Sequence, residues 1–188
     1  MKIILLRHGK PGVPVFGKLR ACEFHQWIET FNLAPLDPNS KPSTELVTIA
    51  KHCDTIVCSD LRRSIDSAKV LGIKDIHCID TVFREFELPH AQFPSPKLPP
   101  GVWPVLYRIL WFMGYAPNCE SFTLAKQRAA SAANILQNKA ESNKTVLFVG
   151  HSLLNSFIGK KLVSQGWQGS IGLFNKHWEI SVFEYLKS

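Results

Sequence analysis

The sequence predicts an α/β fold, a three-layer sandwich in which a mainly parallel sheet carries helices on both faces. Short apolar runs without polar alternation, at 2–6, 55–58 and 145–149, are typical of strands that are buried on both faces. Between these runs, apolar residues recur at the spacing of amphipathic helices. The alternation of the two patterns favours parallel strands joined by helical crossovers. A length of 188 residues suits one domain, and we expect 1–188 to form it.

The first predicted strand ends at Arg7, and a loop rich in Pro and Gly follows it. A short helix is then predicted from one apolar face, formed by Leu46, Val47, Ile49 and Ala50. The run at 55–58 predicts the second strand.

Ser59 or Asp60 is expected to cap the next helix, because both side chains can accept a hydrogen bond from the first turn. This helix is predicted to run to Leu71 and to end at Gly72, since glycine readily adopts the left-handed conformation that closes a helix. A third short strand is predicted over 76–79.

The composition changes over about 87–118, where prolines are frequent, at positions 89, 94, 96, 99, 100, 104 and 117. This pattern predicts an irregular insertion with one short helix, which forms a small cap above the site. Its apolar stretch at 102–115 is interrupted by Pro104 and Arg108 and is too short to span a bilayer. The aromatic residues in it leave open whether this segment packs against substrate or forms a homodimer contact.

The remainder of the chain predicts a helix, a strand, a second helix and a terminal hairpin. The first helix is indicated by apolar residues at helical spacing, at positions 122, 125, 129, 132, 133 and 136. The strand at 145–149 follows, and then a helix with one apolar face formed by Leu153, Leu154, Phe157, Ile158 and Leu162. The segment from Ser170 onwards is predicted to form the hairpin.

A formal charge of +7 and a pI near 9.3 favour an anionic ligand. The Lys and Arg residues are scattered, so we expect no specific nucleic-acid interface. Five cysteines without a CxxC pair indicate reduced thiols in a cytoplasmic protein rather than a zinc site or a disulfide framework. The first residues lack the apolar core of a signal peptide.

Chemically capable side chains follow several of the predicted strands. The first strand is followed by Arg7 and His8, the second by Arg62 and Arg63, and the strand at 145–149 by His151. Arg84 and Glu85 come a few residues after the third strand. Ligands of open α/β sheets bind beyond the carboxyl ends of strands, so these groups are expected to share one site. Arginines match phosphate oxygens, and a neutral histidine can attack phosphorus, which together predict phosphoryl transfer.

Four motifs resemble the histidine phosphatase superfamily, also called the phosphoglycerate mutase-like family, and they occur in the order of that family. They are LLRHG at 5–9, SDLRRSIDSA at 59–68, FRE at 83–85 and VGHS at 149–152. An ESF stretch and Arg128 resemble the helix before the second histidine of the family. The resemblance spans nearly the whole chain and favours the phosphatase branch over the mutase branch.

The resemblance implies a role for each matching residue. His8 is the nucleophile that becomes phosphorylated, Arg7 and Arg63 bind the phosphate, and His151 is the second catalytic histidine, which also contacts the phosphoryl group. Glu85 is the proton donor. The family needs no metal, and its hydrolases need no cofactor. The expected substrate is a phosphorylated small molecule.

Several alternatives remain open at this point. Glu87 competes with Glu85 as the proton donor, and Lys10 to Pro14 replace the Thr and Asn that the family often carries after its first motif. A protein of this fold that binds phosphorylated ligands with little or no turnover is the main functional alternative. A phosphoglycerate-mutase-type phosphotransferase is a further one. An esterase with Ser152 as nucleophile is disfavoured, because no acid precedes His177 in the order that the triad requires.

Overall fold

The fold was obtained as a computed structural model, which describes residues 1–90 and 94–186. Within these residues the chain forms one six-stranded sheet, in the order β3, β2, β4, β1, β6, β5. The strands are β1 (Lys2–Arg7), β2 (Thr55–Ser59), β3 (Cys78–Asp80), β4 (Thr145–Gly150), β5 (Gln168–Gly169) and β6 (Ile180–Glu184). The first four are parallel, and β6 and β5 continue the sheet in antiparallel pairing. The predicted α/β class with a mainly parallel sheet is confirmed.

Helices cover both faces of this sheet. They are α1 (Phe24–Leu33), α2 (Thr44–Lys51), α3 (Arg62–Val70), α4 (Val102–Phe112), α5 (Phe122–Asn143) and α6 (Ser152–Ser164). The apolar residues of α5 and α6 pack on one face, and those of α2 and α3 pack on the other. The expected three layers are therefore present.

The central strand β1 shows why its sequence lacks polar alternation. Ile3 and Leu5 point into the cluster under α5 and α6, whereas Ile4 and Leu6 point into the cluster under α2 and α3. All four side chains are buried. A strand covered on both faces needs apolar residues at every position, and burial of each such side chain contributes roughly 1.5–3 kcal/mol.

A third apolar cluster joins α1 to α4. It consists of Ala21, in the turn before α1, and Phe24, the first residue of α1, together with Trp103 and Tyr107 from α4. Helix α4 is the short helix expected within 87–118, although residues 91–93 of that segment lie outside the described residues. No helix in the described part of the chain is both long and apolar enough to cross a membrane.

The structure corrects several element boundaries. Helix α1 was not predicted, because the segment after Gly9 was interpreted as a loop. The predicted cap of α3 by Ser59 or Asp60 is wrong, since Ser59 still belongs to β2 and the helix is preceded by Leu61, which makes no side-chain cap.

The third strand lies at Cys78–Asp80 instead of 76–79, because the pairing with β2 begins at Cys78. The hairpin starts at β5, before Ser170, and its two strands are joined by the long loop 170–179. Gly72 ends α3 with a positive φ of 80°, as predicted.

Candidate active site

The two histidines of the motifs lie together at the carboxyl ends of β1 and β4. These strands are parallel neighbours in which Arg7 is paired with Gly150, so the residue after each strand emerges at the same edge. The backbone N–H of His8 donates to the carbonyl of Gly150 at 3.0 Å. The ring centroids of His8 and His151 are 5.0 Å apart. The two side chains are only 5% and 1% exposed, respectively.

Both glycines beside these histidines are required by close packing. A Cβ on Gly9 would lie 2.7 Å from Cε2 of Trp178, and a Cβ on Gly150 would lie 2.5 Å from Oδ1 of Asn155. The N–H of Gly9 also donates to Oγ of Ser67 at 2.9 Å. The backbone that carries His8 is therefore fixed by contacts on β4, α3 and the loop 170–179.

The hydrogen bonds of His8 show which ring nitrogen carries the proton and which carries the lone pair. Nδ1 lies 2.7 Å from the carbonyl oxygen of Gly9, and because that oxygen can only accept, Nδ1 carries the proton. Nε2 accepts a hydrogen bond from Nε of Arg63 at 3.2 Å. Burial, and next the charge of Arg63, hold the pKa of His8 well below its usual range. The imidazole is thus neutral, with the lone pair on Nε2.

Arg63 is buried in the site, whereas Arg62 is exposed at the surface. The guanidinium of Arg63 donates from Nη1 to Oδ1 of Asn32 at 2.9 Å and lies over the ring of Phe31 at 5.1 Å. Burial lowers its pKa to about 10, which still leaves it cationic at neutral pH. Arg62 instead pairs with Asp66 at 3.3 Å, one turn further along α3.

Arg7 is held by the loop that joins β5 to β6. Its Nη1 donates to the carbonyls of Phe174 and Asn175, each at 2.7 Å. Its Nε is buried and has no partner among the described residues. The hydroxyl of Ser152 donates to the same carbonyl of Phe174 at 2.9 Å. Ser152 therefore fastens this loop and does not contact a histidine as the nucleophile of an esterase would.

Neither ring nitrogen of His151 has a hydrogen-bond partner within the described part of the chain. The ring is buried, and burial, followed by the charge of Arg63, holds the pKa of His151 well below its usual range. A buried polar group without a partner is costly, at about 1–3 kcal/mol.

The carboxylate of Glu85 lies at the amino end of α6. Its oxygens accept from the backbone N–H groups of Leu153 at 2.9 Å and of Leu154 at 3.0 Å. They also accept from the N–H of Phe86 at 3.0 Å. Because His151 provides no side-chain cap for α6, Glu85 satisfies the first turn of that helix from outside.

Arg128 positions the segment that carries Glu85. Its Nη1 donates to the carbonyls of Val82 at 2.9 Å and of Arg84 at 2.7 Å, while its Nε donates to Glu120 at 2.9 Å. The competing acid, Glu87, accepts from the backbone of Glu120 at 3.3 Å. The carboxylate of Glu87 is thus tied to the residue before α5, whereas that of Glu85 is bound at α6 and only its backbone segment is held from α5.

His177 is a neighbour of His8 that the sequence did not indicate as a site residue. Its Nδ1 lies 3.1 Å from the carbonyl oxygen of His8, and the two ring centroids are 5.5 Å apart. Burial, and next the charge of Arg7, lower its pKa. Asn32, which orients Arg63, was also missed. Neither residue stands in a local pattern, so only the tertiary structure reveals them.

A cavity of about 500 Å³ opens beside Arg63 and Glu85. Trp27, Phe31 and Phe86 provide aromatic walls, and the polar lining is formed by His25, Asn32, Arg84, Glu87, His90, Arg108 and Asn118. A more open hollow of about 840 Å³ is lined by Asp60, Arg62 and Lys69 and contains neither Arg63 nor Glu85, and His8 and His151 line neither space. The smaller cavity is the one that adjoins the chemically capable groups.

No protein-family model matches the chain, and no curated protein matches its sequence significantly. Solved structures match its fold. One, from an open reading frame of Mycobacterium tuberculosis, is 19% identical with a TM-score of 0.65, covering 98% of this chain and 91% of that one. A mycobacterial glucosyl-3-phosphoglycerate phosphatase complexed with VO3 is 21% identical with a TM-score of 0.60, covering 96% and 91%. An Entamoeba histolytica phosphoserine phosphatase is 18% identical with a TM-score of 0.53, covering 98% and 91%. The fold that the sequence resemblance implied is therefore shared with solved phosphatases.

Proposed function

Because the chain has the fold of the histidine phosphatases, we propose that it is a phosphomonoester hydrolase that works through a phosphohistidine on His8. The observation that carries this proposal is the pair of contacts on the His8 ring. The Gly9 carbonyl holds the proton on Nδ1, and the lone pair of Nε2 points to the guanidinium of Arg63. A nucleophilic nitrogen next to a phosphate-binding cation is what phosphoryl transfer needs.

In the first step, Nε2 of His8 attacks the phosphorus of a bound monoester. The N–P bond forms while the bond from phosphorus to the ester oxygen breaks. The departing oxygen takes a proton from a carboxylic acid, and the alcohol leaves. In the second step water attacks the phosphorus and gives a proton to the carboxylate, which restores the acid, while the N–P bond breaks and inorganic phosphate is released. Every group in these steps except water and substrate belongs to the chain itself.

Arg7, Arg63 and His151 would bind the transferring phosphoryl group. The two guanidinium groups offset its negative charge. The attraction between these opposite charges is strong because the site is largely buried. The ring of His151 can donate one N–H to a phosphoryl oxygen, which would satisfy a nitrogen that now lacks a partner. The phosphoryl group thus meets donors from β1, α3 and the end of β4.

Glu85 is the proposed proton donor, and Glu87 is the alternative. Glu85 lines the cavity next to Arg63, although both of its oxygens already accept backbone hydrogen bonds. Oε1 accepts two of these hydrogen bonds and Oε2 accepts one, so a lone-pair site on Oε2 remains that can carry the proton. Glu87 lines the same cavity and accepts a single backbone hydrogen bond, at 3.3 Å.

The leaving group would occupy the cavity of about 500 Å³, a volume typical of small-molecule sites. We therefore infer that the substrate is a phosphorylated small molecule. A protein that binds such molecules without turnover would use the same phosphate-binding groups. A phosphoglycerate-mutase-type transferase would differ in passing the phosphoryl group to a second alcohol instead of to water.

The test is phosphate release from p-nitrophenyl phosphate by the wild type, His8→Ala and His52→Ala. His52 lies on the exposed end of α2 and serves as the matched control. Labelled phosphate on the protein is measured after an alkaline quench, which preserves phosphohistidine. We expect turnover and label in the wild type and the control and neither in His8→Ala. A folded wild type that binds phosphate without label or turnover would instead establish the binding protein.

A further inference from the structure

Helix α4 is apolar on two opposite faces. Trp103, Tyr107 and Trp111 face the interior and are buried. The opposite face is exposed and consists of seven apolar residues, Val102, Val105, Leu106, Ile109, Leu110, Phe112 and Met113. A helix at the surface of a water-soluble protein normally places polar side chains on its outer face. Helix α4 therefore presents an apolar surface, called here the α4 surface, which is formed by these seven residues.

The exposure of the α4 surface is substantial. Ile109 near its centre is 53% exposed, and Met113 at its end is 79% exposed. Single exposed apolar residues are ordinary, but a continuous row of them on one helix face is typical of a site that binds another apolar surface.

The excess of positive charge lies in the part of the sequence that contains α4. Residues 88–178 include nine Lys or Arg and only two acidic residues, Glu120 and Glu141. The remaining residues hold thirteen of each sign, so the whole excess of +7 lies within 88–178. Glu120 is paired with Arg128, so the charges of these two residues offset each other.

The side chain of Lys126 lies close to the carboxyl end of the α4 surface. The ring of Phe112 contacts that of Phe122 with centroids 5.4 Å apart, and Nζ of Lys126 lies 4.8 Å from the centre of the Phe122 ring. Arg108, by contrast, is turned to the inner side of α4, where its guanidinium lies 4.8 Å from the centre of the buried Trp111 ring and donates to the carbonyls of Phe86 and Glu87. Apolar and cationic groups are therefore adjacent at this end.

Cations also flank the amino end of α4. Nε1 of Trp103 donates to the carbonyl of Leu19, and Leu19 forms a bridge with Leu98. The residues next to these two leucines are Lys18 and Lys97, which are both exposed. The α4 surface thus has basic side chains near both of its ends.

We propose that the α4 surface docks onto a lipid bilayer that contains anionic lipids. Helices that lie in the interface of a membrane combine apolar residues such as Phe and Leu with Lys and Arg. The α4 surface has Leu106, Leu110 and Phe112, and Lys126 lies close to its carboxyl end. The apolar side chains would enter the boundary between headgroups and acyl chains, and the cations would meet the negative headgroups. A second copy of this chain is a poorer partner, because it would bring two basic surfaces together.

Docking would place the cavity beside the membrane. Pro104 and Arg108, on the flank of the same helix, line the cavity of about 500 Å³. The inner and outer faces of α4 would then have separate tasks. One face packs on α1 and contributes to the cavity wall, while the other anchors the protein.

The test is co-sedimentation of the full chain with vesicles of phosphatidylcholine, with or without phosphatidylserine. We expect sedimentation with the vesicles that contain phosphatidylserine, and weaker binding in about 1 M salt, where electrostatic screening acts within about 3 Å. Ile109→Glu/Met113→Glu is expected to reduce this binding by about tenfold or more. The matched control is Val15→Glu/Val70→Glu, which adds the same charge at exposed apolar residues of the other part of the chain and should bind nearly as the wild type does.

A second pair of variants tests the electrostatic part without altering the α4 surface. Lys97→Glu/Lys126→Glu should weaken binding more than Lys51→Glu/Lys74→Glu, which makes the same change of charge elsewhere. Equal losses in both pairs, or full binding by Ile109→Glu/Met113→Glu, would overturn the proposal. The proposal would also be overturned if the wild type did not bind vesicles and instead formed a dimer. Dissociation of that dimer by Ile109→Glu/Met113→Glu alone would show that the α4 surface binds a second copy of the chain.

Discussion

Nε of Arg63 donates a hydrogen bond to Nε2 of His8 over 3.2 Å. The cation therefore lies against the nitrogen that is proposed to attack phosphorus. It disfavours protonation of that nitrogen. In the proposed reaction it would also contact the oxygens of the bound phosphoryl group. Asn32 and Phe31 hold the guanidinium in this place.

Replacing Arg63 by Ala is expected to lower kcat/KM for p-nitrophenyl phosphate by about 10²–10³, because a donor to the transferring phosphoryl group is lost. Arg62→Ala should change kcat/KM by less than about threefold, since Arg62 is exposed and pairs with Asp66. Steady-state kinetics of the two variants provides the comparison. A larger loss in Arg62→Ala would show that the phosphate site is assigned to the wrong arginine.

Glu85→Gln is expected to lower kcat for alkyl phosphates, whose poor leaving groups need a proton, and to spare p-nitrophenyl phosphate. The amide keeps one acceptor oxygen but not both, so the free energy of unfolding should also fall by about 1 kcal/mol as the amino end of α6 loses a partner. Kinetics on the two substrate classes and chemical denaturation measure these effects. Glu87→Gln is the control, and a selective loss in it alone would assign the proton donor to Glu87.

Gly9→Ala is expected to lower the free energy of unfolding by roughly 1–3 kcal/mol and to reduce activity, because the new Cβ would press against the ring of Trp178. Gly17→Ala is the control, since a Cβ there would meet nothing within 4 Å. Thermal or urea unfolding and turnover are measured for both. Equal stability of the two variants would mean that Trp178 moves aside at little cost.

The free energy of unfolding is expected to fall as the pH drops below about 6.5. Burial depresses the pKa of His8 and His151 in the folded protein, so the unfolded chain binds these protons first. Each histidine contributes a slope of up to about 1.4 kcal/mol per pH unit between its folded pKa and the unfolded value. The stabilisation is fully present above pH 6.5 and is lost on acidification.

Urea unfolding from pH 8 to pH 5 measures this slope. His8→Gln/His151→Gln should show a shallower dependence than the wild type. An unchanged slope in the double variant would mean that other groups cause the loss of stability in acid.

The sequence was sufficient to predict the sheet and the meeting of His8 with His151. Apolar runs mark strands that are buried on both faces, and parallel neighbours end at the same edge, so the residues after β1 and β4 come together. Helix α1 could not be predicted in the same way. Its amino end is buried through contacts of Phe24 with Trp103 and Tyr107, which lie far away in the sequence. His177 and Asn32 contribute single contacts that leave no periodic signal in the sequence.

The loop 170–179 completes the site although it lies late in the sequence. Carbonyls of Phe174 and Asn175 hold Arg7, and His177 contacts the backbone of His8. These contacts join residues that are 167 to 169 positions apart in the sequence. A deletion confined to this loop would therefore keep His8 but remove the carbonyls that hold Arg7.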